Sequence, residues 1–390
     1  MAQRQFRSDD TSPWQEGFGT GFSGDLVISS NTTSHSFQYA CTGTIDTNTL
    51  SVAHGGNAGA GLFVLIHQTM GTGAGNWELN KVTGAPDNNS VSLAYPLTNT
   101  YGTGAQMAFV FQQTSITLNS GITWTPPSYT GTTGGILAYI SNGPININGT
   151  ITVLGCGFRG SQARSNDQLV SQGEGTGGAG TTVWVANGNG AGGVQDHTHV
   201  DIQGGAGGGH ASSGALGTNS FAPREAGGTV GNTALTSLNF GGAGAGAATS
   251  GNVTGSSTGG NGGGIVLLIG PEIIINGTTG SITANGGTGS GILDETGTVR
   301  NTTSGAGAGG SILLKGRSIN IGTNRMTALG GTAVAPGGLE PFKGGDGGTG
   351  RIHIDYSGTL TGSSVSPNFD STFDPAIKPF ISGGNYAFLM

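Results

Sequence analysis

The sequence predicts an all-β protein: a small N-terminal β module followed by a parallel β-solenoid, or β-helix, with long glycine-rich loop insertions. A β-sandwich built from hairpins is the alternative. Three observations carry this reading. The 390 residues include 81 glycines and 34% hydrophobic residues, but only 8% charged ones. Disordered chains pair low hydrophobicity with high charge, so low charge with recurrent β-branched runs points to turn-dense β-structure. The glycines do not recur at every third position, which excludes collagen. Finally, one stretch is written several times over, the signature of a repeat architecture.

That stretch is GGILAYISNGPININGTITVLGCGFRG, residues 134–160. It returns as GGGIVLLIGPEIIINGTTGSITANGGTG from Gly262, as GGSILLKGRSINIGTNRMTALGGTA from Gly309, and partially as TGRIHIDYSGTLTG from Thr349. Aligned on the glycines, Ile136, Ile265, Ile312 and Ile352 form one column and Ala138, Leu267, Leu314 and Ile354 a second. In the following strand, Ile145 and Ile147 match Ile273 and Ile275, then Ile319 and Ile321. A period of two defines one strand face, so these columns point inward and Asn146, Asn320, His353 and Asp355 outward. Each strand pair is too small to bury its own apolar face, and stacked neighbours make one continuous core.

In chain order, residues 1–43 read as an N-terminal arm with a lead-in strand, GDLVISS. Residues 44–130 form a β-rich module with strands LFVLIHQT, WELNKVTG, SVSLAYPL and MAFVFQQ, and turns at GTGAGN and APDNN. Its last part, residues 106–124, supplies a first coil. Residues 131–361 form the solenoid, interrupted by a glycine-rich insert at 157–262; 27 of the 90 residues from Ser171 to Gly260 are glycine. Such density reads either as a mobile surface lobe or as close packing of extended backbones in a polyglycine II lattice, and the islands TTVWVANG and LTSLNFGG favour order. Residues 362–390, ending in NYAFLM, read as a C-terminal docking segment. Coils stack about 4.8 Å apart, so four or five span only about 20 to 25 Å.

A net charge of −7 with 13 Lys and Arg, and no basic run, excludes nucleic-acid binding. No window approaches the roughly 18 continuous apolar residues of a membrane span. The N-terminus meets Asp9 and Asp10 without an apolar core, unlike a signal peptide. Cys41 and Cys156 have no metal-binding or redox spacing. Asn148-Gly149-Thr150 and Asn276-Gly277-Thr278 read as turns rather than glycosylation sites.

Candidate binding residues fall in or beside the insert. Arg159 and Arg164 stand at its mouth and suit acidic glycans or the tying of loop carbonyls. Trp184, Phe221 and Phe240 suit stacking on sugar rings or the anchoring of glycine loops. QDHTHVDIQ places His197 and His199 on one face of an extended stretch, with His210 nearby; a polar loop outweighs a metal site there, and no cofactor or metal is expected. A depolymerase needs two carboxylates facing each other about 5 to 10 Å apart. The 20 acidic residues are scattered, and the adjacent Asp294 and Glu295 do not make such a pair, so no catalytic residue is assigned.

GLFVLIHQTMGTGAGNWELNKVTG together with GGILAYISNGPININGTITVLGCGFRG resembles a family of glycine-rich proteins of bacteriophage tail fibres and bacterial surface or secreted proteins. The resemblance covers roughly residues 45–350 and rests most on Trp77-Glu78 and on Gly157-Phe158-Arg159-Gly160. It implies an extracellular or virion structural role, usually adhesive, and supplies no catalytic residues. The expected function is therefore a non-enzymatic virion protein such as a tail fibre, receptor-binding tip or head fibre. Its expected partners are other copies of itself, other virion proteins, and a glycan or protein on a host surface. A bacterial surface adhesin or self-assembling filament subunit is the alternative, and a polysaccharide depolymerase ranks below both.

Overall fold

The computed structural model describes residues 20–34, 37–53, 58–161, 164–165, 172–181, 183, 185–193, 204–218, 225–249, 258–291, 303–334 and 343–377. The side chains of 164–165 and 248–249 are outside that description. Among the described residues the protein is all-β, with no helix. Two short strands come first, β1 (Asp25–Ile28) and β2 (Thr32–Thr33). Six follow: β3 (Gln38–Gly43), β4 (Thr49–Val52), β5 (Phe63–Gln68), β6 (Trp77–Asp87), β7 (Ser90–Leu93) and β8 (Tyr101–Gln113). The next are β9 (Ser115–Leu118), β10 (Thr123–Thr125), β11 (Ile136–Ser141), β12 (Ile145–Ile147), β13 (Thr150–Thr152), β14 (Arg164–Ser165) and β15 (Ala248–Thr249). Last come β16 (Ile265–Ile275), β17 (Ser281–Thr283), β18 (Ser311–Thr323), β19 (Met326–Thr327), β20 (Arg351–Ser363) and β21 (Asp370–Phe373).

The N-terminal module is a closed antiparallel barrel. β3 pairs with β8 and β4, β4 with β7, β7 with β6, β6 with β5, and β5 returns to β8. Closure leaves the six strands without an open edge. Leu50, Val64, Ile66, Val82, Val91 and Met107 fill the interior. β3 completes the ring, so the boundary expected after residue 43 falls within the barrel. Residues 115–125 pair with later strands and leave the 44–130 module.

The remaining long strands pair in parallel. β11, β16, β18, β20 and β21 are successive neighbours, β1, β9, β12 and β16 another run, and β2, β10, β13, β17 and β19 a third. The columns expected for the second strand hold: Ile145 pairs with Ile273, Ile273 with Ile319, and Ile147 with Ile275. The first-strand columns slip by one residue. Ile136 does pair with Ile265, but Ile265 pairs with Ser311, and Ile312 pairs with Val266 and Ile352.

The register is set by a stack of glycines just before the strands. A Cβ on Gly264, Gly310 or Gly350 would lie 2.4, 1.9 or 2.1 Å from the carbonyl oxygen of Gly135, Gly264 or Gly310 respectively. A slip of one residue exchanges the two faces of a strand. The slip puts Ile136 and Ile265 on the second face, whereas Ile352 and Ile354 keep the expected one; His353 and Asp355 are not outward, at 1% and 8% exposed, because the second face is covered as well. Both faces of these strands are covered. Leu137, Val266, Leu268, Ile312, Leu314 and Ile354 belong to one core, and Ile136, Ile265, Leu267 and Leu313 to a second, shared with Phe63, Leu65 and Val110 of the barrel. Strands buried on both faces read as unbroken apolar runs, as ILAYIS and IVLLIG do.

The described glycine segments are packed, not a mobile lobe. Successive N–H groups of residues 305–310 donate to three neighbours in turn: Gly305 to Ala245, Ala306 to Gly345 and Gly307 to Gly287, then Ala308 to Gly242, Gly309 to Gly348 and Gly310 to Ala284. A donor direction that returns every third residue is the threefold screw of a polyproline-II-type chain. The carbonyls of 305–308 accept from Gly260, Gly208, Gly331 and Gly263. This extended segment is thus surrounded by other extended segments on every side, the polyglycine II arrangement. The spacing leaves no room for Cβ atoms at these glycines: one on Gly305 would sit 1.8 Å from the Ala206 oxygen, and one on Gly307 2.0 Å from that of Asn261.

Candidate functional site

The insert docks on the barrel through a buried aromatic cluster. Tyr129, Phe158 and Phe240 meet edge-to-face with ring centroids 5.3 to 5.9 Å apart, and His67 of β5 lies 5.8 Å from Phe240. Trp77 Nε1 donates to the Leu235 carbonyl at 3.2 Å. Gly75, with φ +91°, lies where a Cβ would be 2.1 Å from Ser237 Oγ, so the GTGAGN turn is glycine where the insert crosses it. Phe240 is 1% exposed and anchors the insert. This corrects the expectation of a sugar-stacking surface at that residue.

His210 is corrected likewise. It is fully buried, with Nδ1 2.8 Å from the Gly309 carbonyl oxygen, and burial pushes its pKa down to about 4. It belongs to the base of the glycine lattice rather than to a ligand surface. Arg159 remains at the surface, its side chain 48% exposed, and is held by Glu174, whose side chain is 8% exposed. Arg159 Nε is 3.0 Å from both carboxylate oxygens, and the Arg159 backbone N–H donates to Oε2 at 2.9 Å. The Glu174 hydrogen bonds raise the Arg159 pKa above its already high ordinary value. The pair carries no net charge, which weakens the case for an acidic glycan at Arg159. Gly131 lies beneath it: a Cβ there would be 2.3 Å from Nη2.

Beside this pair runs a cleft of about 670 Å³ between the β3–β4 wall of the barrel and the turns at Gly131 and Gly178. Thr42, Ser51, Asn89, Thr103 and Thr132 contribute its polar groups, and none of the described residues lining it is charged. Cys41 also lines it, with burial pushing its thiol pKa far above the usual range, so it is no nucleophile. The cleft was not legible in the sequence, because its walls are mostly small residues from seven separate stretches. Glu174 was missed too; in so uncharged a chain, a lone Glu 15 residues after Arg159 was the available signal.

Trp184, His197, His199 and Phe221 lie outside the described residues, as do Asp294 and Glu295. Arg164 is in β14, paired with Ala248 of β15. Among the described residues no group of three or more His, Cys, Asp or Glu side chains is placed to hold a metal.

Ser161, Gly204, Thr218, Thr258, Gly291, Thr303 and Lys343 are neighbours at one end of the lattice. Ser161 Oγ accepts from Gly246 N at 2.7 Å, Ser304 Oγ from Ala247 N at 3.0 Å, and Thr303 Oγ1 from Gly344 N at 2.6 Å. Thr218 N donates to the Lys343 carbonyl, Gly205 N to that of Thr303 and Ser304 N to that of Ser290. Ser290 Oγ in turn accepts from Thr258 N at 2.5 Å, and Gly291 bridges to Thr303. No protein-family model, curated protein or solved structure matches the chain.

Proposed function

We propose that the protein is a non-enzymatic virion component, a tail fibre, receptor-binding tip or head fibre, that attaches to a glycan or protein on a host surface. In this reading the parallel-paired strands form a short β-solenoid, the glycine lattice extends it sideways, and the barrel braces its base. The observation that carries the proposal is the closely hydrogen-bonded glycine lattice itself, clamped to the barrel through Phe158 and Phe240 and closed at one end by Ser161, Thr218, Thr303 and Lys343. A rigid support suits the display of recognition loops, and several copies in one particle turn weak contacts into avidity.

Removing the whole insert is not a fair test, since Leu235, Leu238 and Phe240 are core residues. Replacing only residues 195–202 and 251–256 with Gly-Ser sequence spares the lattice. The expected result is loss of binding to host cells with unchanged thermal unfolding; unchanged binding overturns the assignment of the ligand surface. A second reading, a self-assembling filament subunit at a bacterial surface, is favoured by one feature: among the described residues β1 pairs only with β9 and β21 only with β20, so each is an edge strand there. Purified protein that forms ordered fibres selects that reading.

A further inference from the structure

The two apolar columns of the β11–β16–β18–β20–β21 sheet that face the barrel side become charged in their last layers. One runs Ile140, Ile269, Lys315, Asp355, Thr372, and the next runs Ala138, Leu267, Leu313, His353, Asp370. Lys315 is 3% exposed. Its Nζ lies against Asp355 Oδ2. Asp355 Oδ1 is 2.9 Å from His353 Nε2, and His353 Nδ1 is 3.5 Å from Oδ2 of Asp370, which is half-exposed. Taking an ammonium and a carboxylate out of water costs several kcal/mol per ion, and a buried ion pair is weak support for a fold. Burial raises the Asp355 pKa, but the His353 hydrogen bond and the Lys315 charge outweigh it and hold it below the ordinary value. Asp355 therefore starts as a carboxylate.

We propose that Lys315 and Asp355 are joined by an intramolecular isopeptide bond, formed by condensation of the Lys315 amine with the Asp355 carboxyl group and assisted by His353. The steps balance without any co-reactant. Nζ first passes one proton to Oδ2, which gives a neutral amine beside a neutral acid, a transfer that apolar surroundings such as Ile269 and Leu313 favour. The amine lone pair attacks Cγ, and the negative charge that develops on Oδ1 is stabilised by the His353 Nε2–H already directed at it. Nζ then gives a second proton to Oδ2, the Cγ–Oδ2 bond breaks, and Oδ2 leaves as water. The product is an amide whose carbonyl Oδ1 still accepts from His353. Asp370 stands 3.5 Å from the other ring nitrogen, which makes no hydrogen bond to a described residue.

The bond would tie β18 to β20 across a separation of 40 residues, so a backbone cut within that span leaves both strands attached. Cross-links of this kind also restrict the unfolded chain. Intact-mass spectrometry of the denatured full-length protein tests the proposal. The expected mass is one water below that of the sequence, with a branched peptide joining Lys315 to Asp355 and no tryptic cleavage after Lys315. Lys315→Arg keeps the charge and should restore the full mass; His353→Asn should give a mixture of joined and unjoined chains. If either variant fails to fold, the unaltered protein decides alone: full mass with cleavage after Lys315 overturns the proposal, as does a water loss mapped elsewhere, such as Asp346-Gly347.

Discussion

The imidazole Nε2 of His67, on barrel strand β5, lies 2.8 Å from the carbonyl oxygen of Leu238, 171 residues further along the chain. Nδ1 faces Thr69 Oγ1 at 2.9 Å, and that hydroxyl also accepts from Gln106 Nε2. The neutral ring with its proton on Nε2 satisfies every partner; a second proton on Nδ1 meets a hydroxyl that must turn away to accept it. Burial pushes the His67 pKa down to about 4, against the opposing effect of the Leu238 hydrogen bond.

Stability should therefore depend on pH through His67 and His210. Both titrate near 6.5 when unfolded and near 4 when folded, so between these values the unfolded chain binds more protons and stability rises with pH. Full stability is expected above pH 6.5, with roughly 3 kcal/mol lost for each histidine by pH 4. Denaturant titrations from pH 4 to 7.5 check this, and His67→Gln should flatten the curve by about half. A pH-independent midpoint across that window would contradict the assignment.

The lattice predicts that glycines near one another in sequence differ sharply in tolerance. Gly305→Ala puts a methyl group 1.8 Å from a backbone oxygen and should cost about 3 kcal/mol or more, because backbone on every side prevents relaxation. Gly277→Ala, with nothing within 4 Å, should change stability by less than about 0.5 kcal/mol. Equal effects at the two sites would mean that the segments are not packed as described.

Phe240 distinguishes anchoring from ligand stacking. Phe240→Ala should destabilise by about 3 to 5 kcal/mol and open the insert to proteolysis. A variant of wild-type stability with weakened host binding would restore the stacking role.

Much of the fold was legible in the sequence, for identifiable reasons. Strands β5 to β8 stood out because FVLIHQ, WELN, SVSL and MAFVF are apolar or alternating and are bounded by turn residues. β3 and β4, QYACTG and TLSV, did not, since short strands of small residues carry little pattern, and barrel closure was missed with them. The Ile145–Ile273–Ile319 column was readable because one face alternates. The preceding strands are apolar on both faces, and Ser311 stands between the glycines and Ile312 in the third copy, so the alignment on the glycines was carried one residue too far when isoleucine was matched to isoleucine.

The site was less legible. Phe158 and Phe240 could be recognised as important but not as mutual contacts, because their contact spans the insert. The period of three in the lattice is a property of hydrogen-bond direction, and irregular glycine spacing conceals it.

Electron microscopy of native particles labelled with antibody against this chain tests the central claim most directly. The account predicts label on a phage particle, at a fibre tip or head surface, with several copies per particle. Label confined to a bacterial surface or to filaments of the protein itself, with phage particles bare, would contradict it.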